Sequence, residues 1–592
     1  MLAAYAVSRA FFLLLNPNLW QGATAGEIAQ AFWLGLRFDV STVCSVNAPF
    51  IVISLLPLPW RERLGWKRGL KIWFVLTNSF FLLTDLADAE YVKFTGRRTG
   101  VDILGILPDL MAQAPQLLRH YFYIPLLAAG LGYVLARLYS ERIVSYRQLH
   151  WGLGIPAYLL CIALAVLGIR GSLELKPLAP GNAFALRPAG LGVAALNTPF
   201  VFFKSVEAEK TQQLTWAGTP EQALALFRQD PGHPPSPALP RYNVVVILLE
   251  SFGTEYTGLE GGTVYTPFLD SLAHAGTWLP HFYANGRRSI EAVPAVFAQM
   301  PSLDESAFIS GPYSANRIYG WPAEAAKAGY TTLFFHGGRN GTMGFDGFSG
   351  QAGFDRYIGL NEYPARTQDY DGNWGIFDRP FLQFVAGTLN QTRQPFVAGI
   401  FTLSSHQPYT IEPGFENRFP KGSLPIHESL GYADMALRQF FATAARMPWY
   451  RNTLFVLTAD HTQMSEQARF QTPDGLHDVP CILFAPGKKI EIDTTQPRQH
   501  ADIGPTVADL IGLKLPHPGP FASSMVRPVP SRGIAWGNGR YTLVNRNGYL
   551  ALTPTGQAET TLPPSDTAAA VRLLKAGAQV YADGLRQNRM YP

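Results

Sequence analysis

The stretch VVVILLE at residues 244–250 decides the fold of the C-terminal half of this chain. Its six consecutive apolar residues end in a glutamate, a pattern typical of a strand that is buried on both faces of a parallel sheet. Four further short runs rich in β-branched and aromatic residues follow at 331–335, 396–403, 454–458 and 481–484, with helical stretches between them. This alternation predicts an α/β domain with a largely parallel central sheet.

Residues with metal-binding side chains follow four of the five predicted strands: Glu250, His336, His406, and the adjacent pair Asp460 and His461. Ligands bind beyond the carboxyl ends of strands in open α/β sheets, so we expect these side chains to meet at one edge. A single acid at a strand end is more often a cap or an ion-pair partner. Glu250, Asp460 and His461 together, however, form a carboxylate and imidazole set that suits zinc or manganese.

A candidate nucleophile lies in the segment NGRRSIEAVP at 285–294, where Ser289 follows a glycine turn and opens a predicted helix. A hydroxyl at a helix N-terminus faces the positive end of the helix dipole, which stabilises an alkoxide and a phosphate. Coordination to a metal ion would also lower the pKa of the hydroxyl. The alternative is that Ser289 is only a helix cap, supported by Glu291 in the first turn.

Further charged side chains can serve a phosphate group, although each such residue alone is more often a structural or surface residue. His406 and His477 are candidates to bind a phosphoryl oxygen or to protonate a leaving alkoxide. Arg287, Arg288 and Arg339 are candidates to hold a phosphate through paired hydrogen bonds.

The composition places part of the chain in lipid, because 47% of its 592 residues are hydrophobic, only 15% are charged and the mean hydropathy is +0.04. Apolar stretches before residue 170 predict five membrane-spanning helices, at 2–20, 40–59, 70–89, 121–138 and 153–169. We expect the first to be a retained helix rather than a cleaved signal peptide. The net charge of +5 comes without a long basic run, which argues against nucleic-acid binding, and three cysteines exclude a disulfide framework.

Loop charge predicts the orientation, because lysine and arginine are retained on the cytoplasmic side. Two loops carry the basic residues: Arg61, Arg63, Lys67, Arg68 and Lys71 in one, and Arg137, Arg142 and Arg147 in the other. The N-terminus is then cytoplasmic and everything after residue 171 lies outside. Four acidic residues fall near the outer ends of the spans, where we expect them either to reach water or to line an entry for a lipid head group: Asp39, Asp85, Asp88 and Glu90.

The predicted domains are a five-helix membrane domain at 1–170, a linker at 171–240 and an extracytoplasmic domain at 241–592. The linker is rich in proline and glycine and contains a candidate interfacial helix at 196–208. The last domain divides into a motif core at 241–540 and a hairpin and helix at 541–592.

Six motifs then carry a resemblance to a known family: VVVILLESFGTEYTG, TPFLDSLAHAGTWLPHFYANGRRSIEAVPAV, TLSSHQPY, TADHT, LHDVPCILFAPG and HADIGPTVADLIGL. Together they closely resemble the catalytic domain of the lipoteichoic acid synthase and phosphoglycerol transferase family, within the sulfatase and alkaline phosphatase superfamily. The phrase FWLGLRFDVS near the N-terminus resembles Gram-negative members. The resemblance implies a multi-pass protein of the bacterial inner membrane with a sulfatase-like periplasmic domain.

The resemblance assigns roles to individual residues. Glu250 and the pair Asp460 and His461 match the metal ligands of the family, and Ser289 falls where the family carries a threonine nucleophile that also contacts the metal. His406 matches a histidine that contacts the substrate phosphate in lipoteichoic acid synthases.

Other positions of the chain agree with the family only in part. His477 resembles an active-site histidine of the phosphoethanolamine transferases, and Asp346 agrees with a substrate-contacting segment of the lipoteichoic acid synthases. Met343 and Phe345 stand where that segment carries a tryptophan and an arginine, which puts the head group in doubt. Arg339 is a candidate replacement for the missing arginine, and Arg288 is a further candidate for substrate binding.

The resemblance implies a phosphotransferase that moves phosphoglycerol from phosphatidylglycerol to an envelope or periplasmic glycan through a phosphoserine, with manganese as the favoured ion and zinc or magnesium as alternatives. Three other functions stay open: a phosphoethanolamine transferase acting on lipid A or a glycan, a hydrolase of the phosphatase or sulfatase type, and a non-catalytic envelope-assembly protein. The single cysteine of the outer domain, Cys481, cannot form the disulfides usual in phosphoethanolamine transferases, and SIEAV lacks the sulfatase modification motif.

Overall fold

The computed structural model describes residues 1–56, 63–95, 97–101, 103–139, 151–173, 177–207, 213–228, 234–261 and 263–591. The chain divides into two compact units. The first comprises Met1–Lys210 and Ser310–Arg317, and the second comprises Thr211–Ile309 and Ile318–Pro592.

The first unit is helical throughout its described part. Its α-helices are α1 (Leu2–Leu15), α2 (Ala25–Val46), α3 (Ala48–Leu55), α4 (Leu64–Thr95), α5 (Ile103–His120), α6 (Tyr123–Leu138), α7 (Trp151–Arg170), α8 (Gly190–Ala195) and α9 (Thr198–Glu207). Helix α2 begins at a capping box, in which Thr24 and Glu27 satisfy each other's backbone N–H groups. Helices α8 and α9 fall inside the predicted linker, and an interfacial position for the predicted helix at 196–208 stays a prediction.

Among the described residues, one helix is long and apolar enough to cross a membrane, α4 over Leu64–Lys93. Helices α2 and α3 meet at a bend of 56° and satisfy the same criterion only as a pair. Helices α1 and α6 and the part of α7 over Ile155–Arg170 are apolar but shorter. The count of five spans therefore remains a prediction from the sequence, and several of the basic residues that orient them, including Arg61, Arg142 and Arg147, lie outside the described residues.

A buried ionic network connects the helices of the first unit. The guanidinium of Arg9 donates to both carboxylate oxygens of Asp39, at 3.0 and 2.7 Å, and also to the carbonyls of Ala194 and Ala195. The side chain of Arg9 is 3% exposed and that of Asp39 is 1% exposed. A Cβ at residue 35 would lie 2.3 Å from the guanidinium carbon, so glycine is required there.

Arg98 likewise forms buried ion pairs with two acidic residues of α4. Its Nη1 lies 3.4 Å from Asp85 and 3.7 Å from Asp88, and all three side chains are almost fully buried. Thr198 at the start of α9 donates its backbone N–H to Asp85 and its hydroxyl to Asp88. The expectation that Asp39, Asp85 and Asp88 reach water or line a lipid entry is therefore wrong, because each is buried and paired.

Replacing Arg9 with glutamine should destabilise the first unit, because Asp39 would stay buried without its partner. Removing one member of a buried ion pair costs about 3–5 kcal/mol. Thermal unfolding of the full chain in detergent measures this, with the exposed Arg37→Gln as the matched control. The double variant Arg9→Met with Asp39→Leu should lose less stability, and an equal loss in both would contradict an electrostatic role.

The second unit is an α/β domain. Its strands are β1 (Asn243–Leu249), β2 (Thr277–Trp278), β3 (Phe282–Tyr283), β4 (Thr331–His336), β5 (Arg356–Ile358), β6 (Phe396–Phe401), β7 (Thr453–Ala459), β8 (Cys481–Phe484), β9 (Arg498–Gln499), β10 (Gly533–Gly537), β11 (Arg540–Asn545), β12 (Gly548–Leu552) and β13 (Ala558–Thr560). Its α-helices are α10 (Pro220–Phe227), α11 (Pro267–Ala275), α12 (Ser289–Ala298), α13 (Trp321–Lys327), α14 (Phe345–Gln351), α15 (Asp378–Gln391), α16 (His427–Ala444), α17 (Ile503–Ile511) and α18 (Pro564–Arg586).

The central sheet has seven strands in the order β2-β8-β7-β1-β6-β4-β5. The five strands from β7 to β5 are mutually parallel, and they include four of the five runs predicted from the sequence. Strand β8 pairs antiparallel with β7, and β2 pairs antiparallel with β8. The sheet is therefore mixed, which corrects the expectation for 481–484: a short apolar run shows that a strand is buried but does not show its direction.

A second, four-stranded antiparallel sheet has the order β10-β11-β12-β13. Helix α18 packs on it: a Cβ at Gly577 would lie 2.9 Å from the Ile534 side chain of β10.

Candidate active site

The register of the central sheet places two carboxylates side by side. Strands β1 and β7 are parallel neighbours, and Leu249 at the end of one pairs with Ala459 at the end of the other. The next residues in the two chains, Glu250 and Asp460, are therefore adjacent at the carboxyl edge of the sheet. Ser251 follows with φ of 60°, a left-handed conformation that a serine rarely adopts, and it turns the chain away from the strand directly after Glu250.

Ligand atoms of Glu250, Asp460 and His461 lie within 4.8 Å of one another, and all three residues are buried. The His461 Nε2 atom lies 3.3 Å from Asp460 Oδ2 and 3.8 Å from Glu250 Oε1. The other ring nitrogen, Nδ1, lies 2.7 Å from the carbonyl of Thr462, to which it can donate. With the proton of the neutral ring on Nδ1, the lone pair of Nε2 faces the carboxylates.

The cluster fits a divalent cation. Asp460 Oδ1 accepts the backbone N–H groups of Ser251 and His461, whereas its buried Oδ2 has no hydrogen-bond partner among the described residues. Burial, and then the charge of Asp460, raises the pKa of Glu250 well above its ordinary value. Two buried carboxylates repel each other unless a positive charge compensates them, and no described lysine or arginine hydrogen-bonds to either one. A metal ion would supply that charge.

Ser289 lies against this cluster at the first residue of α12. Its Oγ donates to Glu250 Oε2 at 3.1 Å and lies 3.3 Å from His461 Nε2. The helix cap is Arg288, and the Ser289 hydroxyl points to the cluster, so the alternative that Ser289 acts only as a cap is not what the structure shows. The carboxylate of Glu291 instead accepts the backbone N–H groups of Arg287 and Arg288, which holds the turn before the serine.

Buried polar residues that the sequence analysis did not single out hold the turn at 285–288, which precedes Ser289. The amide of Asn285 donates to the side chain of Gln499 and to the carbonyl of Ile534, and its oxygen accepts the N–H of Ala501. His500 Nε2 lies 2.8 Å from the carbonyl of Ala459, the residue before Asp460. The motif HADIG contains this histidine, but a sequence does not show which strand end it will support.

The loop after β6 forms another wall. The Ser405 hydroxyl donates to the backbone carbonyl of Glu250 at 2.5 Å, which brings His406 to the same edge of the sheet. The His406 ring is partly exposed and lies 4.3 Å from the ring of Trp374, whose Nε1 donates to the carbonyl of Gln407. Trp374 was not identified from the sequence, because it belongs to an irregular loop about 30 residues before His406 and has no motif of its own.

The other predicted substrate-binding residues occupy different surroundings. His477 is buried, and burial, then the positive charge of Arg287, lowers its pKa to about 3, so the ring is neutral. Arg288 is held by the Glu291 carboxylate at 2.5 Å and by the Glu305 carbonyl. Arg339 is exposed in the loop after β4, and Asp346 is half-buried in the first turn of α14.

Phe345, at the position where the resembling family carries an arginine, is fully buried. Its ring lies 5.1 Å from the rings of His336 and Phe401. This position is part of the core and supplies no cation to a substrate. Any positive charge for a head group must come from elsewhere in the site.

Comparison with known proteins agrees with the geometry. Residues 242–513 match the family model described as Sulfatase, so this segment is a sulfatase-family domain. The chain is 26% identical over 296 residues to lipoteichoic acid synthase 1 of Bacillus subtilis, a match that covers 46% of each chain. It is 24% identical over 391 residues to phosphoglycerol transferase I of Salmonella arizonae, covering 61% of this chain and 49% of that protein.

A solved structure supports the fold assignment. The lipoteichoic acid synthase LtaP of Listeria monocytogenes superposes with a TM-score of 0.52 at 19% identity, over 62% of this chain and 98% of that one. The resemblance predicted from the sequence motifs is thus confirmed. The chain spans about half the length of the curated relatives it matches.

The full-length protein should bind about one Mn²⁺ ion per chain. Asp460→Asn should bind the ion at least tenfold more weakly. Loss of a residue that only supports a metal ligand already lowers the affinity about tenfold or more, and loss of a direct ligand should lower it at least as much. Titration of the metal-depleted protein, followed by elemental analysis, measures both. The control is Asp493→Asn, an exposed carboxylate of the same unit. An unchanged affinity in Asp460→Asn would contradict the assignment of the site.

Proposed function

We propose that this chain is a membrane-anchored, metal-dependent phosphoglycerol transferase that moves phosphoglycerol from phosphatidylglycerol to an envelope or periplasmic glycan through a phosphoserine on Ser289. The observation that carries the proposal is the position of the Ser289 hydroxyl, 3.1 Å from Glu250 and 3.3 Å from His461. A serine in contact with two candidate metal ligands is placed as a nucleophile for group transfer. The relatives named phosphoglycerol transferase I and lipoteichoic acid synthase 1 support the choice of reaction.

Glu250, Asp460, His461 and Ser289 would hold the ion. We take it to be manganese because of the resemblance to the lipoteichoic acid synthases, and zinc and magnesium are the alternatives, since the ligand types alone do not separate these ions. When bound, the ion supplies positive charge that favours the serine alkoxide and the phosphoryl oxygens. The N-terminus of α12 adds the positive end of its dipole at the same atom. Side chains of the protein carry out the remaining steps.

In the first half-reaction, Ser289 Oγ forms a bond to the phosphorus of the donor and loses its proton to solvent. The bond between phosphorus and the diacylglycerol oxygen breaks, and protonated His406 gives that oxygen its proton. In the second half-reaction, an acceptor hydroxyl attacks the phosphorus, neutral His406 takes its proton, and Ser289 leaves and regains a proton. His406 thus acts as acid and then as base, and Trp374 packs against its ring and orients it.

We propose that the wall that contains His406 and Trp374 binds the head group, with Arg339 and Asp346 as further contacts. Because Phe345 is buried, the wall at Trp374 is the partly exposed aromatic surface next to His406. His477 and Arg288 would act through the nucleophile turn, since His477 is buried against Arg287 and Arg288 is held by Glu291.

The proposed location is the bacterial inner membrane, with the sulfatase-family domain in the periplasm. Five spans with a cytoplasmic N-terminus would place this domain on the side where the lipid head group is accessible. Tethering the domain to the membrane raises the effective concentration of a lipid donor at the site.

Incubation with manganese and phosphatidylglycerol vesicles should leave a phosphoglycerol adduct on the wild-type protein, detected by intact mass and mapped to Ser289 by peptide analysis. Ser289→Ala should form no adduct, Ser289→Thr should retain it, and Ser271→Ala, which removes an exposed serine of the same unit, should behave as wild type. Phosphatidylethanolamine vesicles are the parallel test of the alternative donor. No adduct and no diacylglycerol with either lipid would contradict a lipid transferase.

His406→Gln should slow adduct formation from phosphatidylglycerol by about a hundredfold or more, because loss of a general acid costs 10²–10⁴. A donor with a good leaving group, such as the p-nitrophenyl ester of glycerol phosphate, needs no proton and should react at nearly the wild-type rate. The ratio of the two rates measures this role. Equal losses with both donors would show that His406 positions the phosphate rather than protonating the leaving group.

A further inference from the structure

The hairpin formed by β10 and β11 packs directly on the turn that carries the nucleophile. Asn285 donates to the carbonyl of Ile534, and Gln499 accepts the N–H of the same residue. A Cβ at Gly537 would lie 3.1 Å from the Cγ of Arg287, two residues before the nucleophile. The position of the hairpin tip is therefore fixed relative to Ser289 by buried hydrogen bonds and close packing.

This hairpin presents an aromatic cluster that the proposed reaction does not use. The rings of Trp536 and Tyr541 have centroids 4.5 Å apart, and the ring of Trp216 lies 5.7 Å from that of Tyr541. Both tryptophans are partly exposed. Their rings pack on the same buried ring, that of Tyr541, so they form one aromatic cluster, and grouped exposed apolar side chains mark binding sites more often than single ones do.

Charged groups surround the cluster and connect it to the nucleophile turn. Trp536 Nε1 donates to the Glu305 carboxylate at 3.1 Å, and Arg288, beside the nucleophile in sequence, donates to the Glu305 backbone carbonyl. The side chain of Arg288 is half-exposed. Lys575 of α18 lies 5.9 Å from the centre of the Trp216 ring. A carboxylate, a guanidinium and an ammonium thus flank the aromatic faces.

We infer that Trp216 and Trp536, whose rings pack on the buried ring of Tyr541, form with Glu305 the binding surface for the glycan acceptor. A pyranose ring has an apolar face of C–H groups and an edge of hydroxyls, so aromatic faces flanked by charged hydrogen-bonding groups match its chemistry. An acyl chain would gain nothing from the charged groups, which would lose their hydration against it. The inference rests on the proposed function, because it assigns the second substrate of that reaction.

The position of this surface gives the glycan a defined place. It adjoins the turn at 287–288, whereas the His406 and Trp374 wall follows a different strand of the sheet. The surface holds the acceptor so that one hydroxyl reaches the phosphorus on Ser289. That hydroxyl gives its proton to His406, its oxygen bonds to phosphorus, the Ser289 Oγ–phosphorus bond breaks, and Ser289 regains a proton.

The two half-reactions separate this inference from the proposed function. The full chain in phosphatidylglycerol nanodiscs is converted to the Ser289 adduct, and the loss of adduct is followed with neutral five-residue gluco-oligosaccharides of β-1,2, β-1,3, β-1,4 and α-1,4 linkage. Trp536→Ala should form the adduct at the wild-type rate and require about tenfold more oligosaccharide, the factor that corresponds to losing one good aromatic contact. Trp536→Phe, which keeps a ring, should recover most of the loss.

Trp278→Ala is the matched control, because Trp278 is another partly exposed tryptophan of this unit and lies in β2, an edge strand of the central sheet. Binding of the same oligosaccharides to the full-length Ser289→Ala variant, followed by saturation-transfer NMR, needs no catalysis. It should weaken about tenfold when Trp536→Ala is added. Identical oligosaccharide dependence in Trp536→Ala and wild type, or no binding of any oligosaccharide, would overturn the inference. Absence of the adduct in the wild type would refute the proposed function alone, because the NMR measurement would still decide the binding surface.

Discussion

The site depends on one constraint, the burial of two like-charged carboxylates at adjacent strand ends. Parallel pairing of β1 with β7 puts Glu250 beside Asp460, and neither has a described arginine or lysine to compensate it. Burial raises the pKa of Glu250, so without a cation the pair would favour partial protonation. A divalent ion restores both charges, and the free Asp460 Oδ2 and His461 Nε2 are the atoms that would accept it. The same ion would therefore stabilise this part of the fold and supply the positive charge for its chemistry.

The surrounding structure holds the Ser289 hydroxyl against this cluster. Helix α12 begins at Ser289, Glu291 caps the backbone of the preceding turn, and Asn285 ties the turn to the segment at 499–501. The Asn285 contacts are buried and the Glu291 contact is partly buried, so together they hold the hydroxyl with little freedom before a substrate arrives. Such preorganisation is how a site gains rate from geometry. Asn285 and Gln499 also bond to Ile534 of the β10–β11 hairpin, which connects the turn before Ser289 to the acceptor surface that we infer.

Much of this arrangement could be predicted from the sequence, because local patterns determine it. The five short apolar runs are all strands, and the carboxylate and imidazole residues at the ends of the four parallel ones lie at a common edge, since parallel strands end together. The direction of β8 could not be predicted, because a buried strand has the same composition in either direction. The pairing of Arg9 with Asp39 and of Arg98 with Asp85 was also missed: each arginine lies far along the chain or in an irregular segment, and only packing joins it to its acid. Trp374 and Asn285 were missed for the same reason.

Anomalous diffraction at the manganese absorption edge, on crystals of the full-length protein grown with Mn²⁺, tests the central claim most directly. The account predicts one peak within coordination distance of Glu250, Asp460, His461 and the Ser289 Oγ atom. A peak bound by the three other residues with the Ser289 hydroxyl turned away would contradict its role as a metal-activated nucleophile. Absence of any peak at this cluster would contradict the account as a whole.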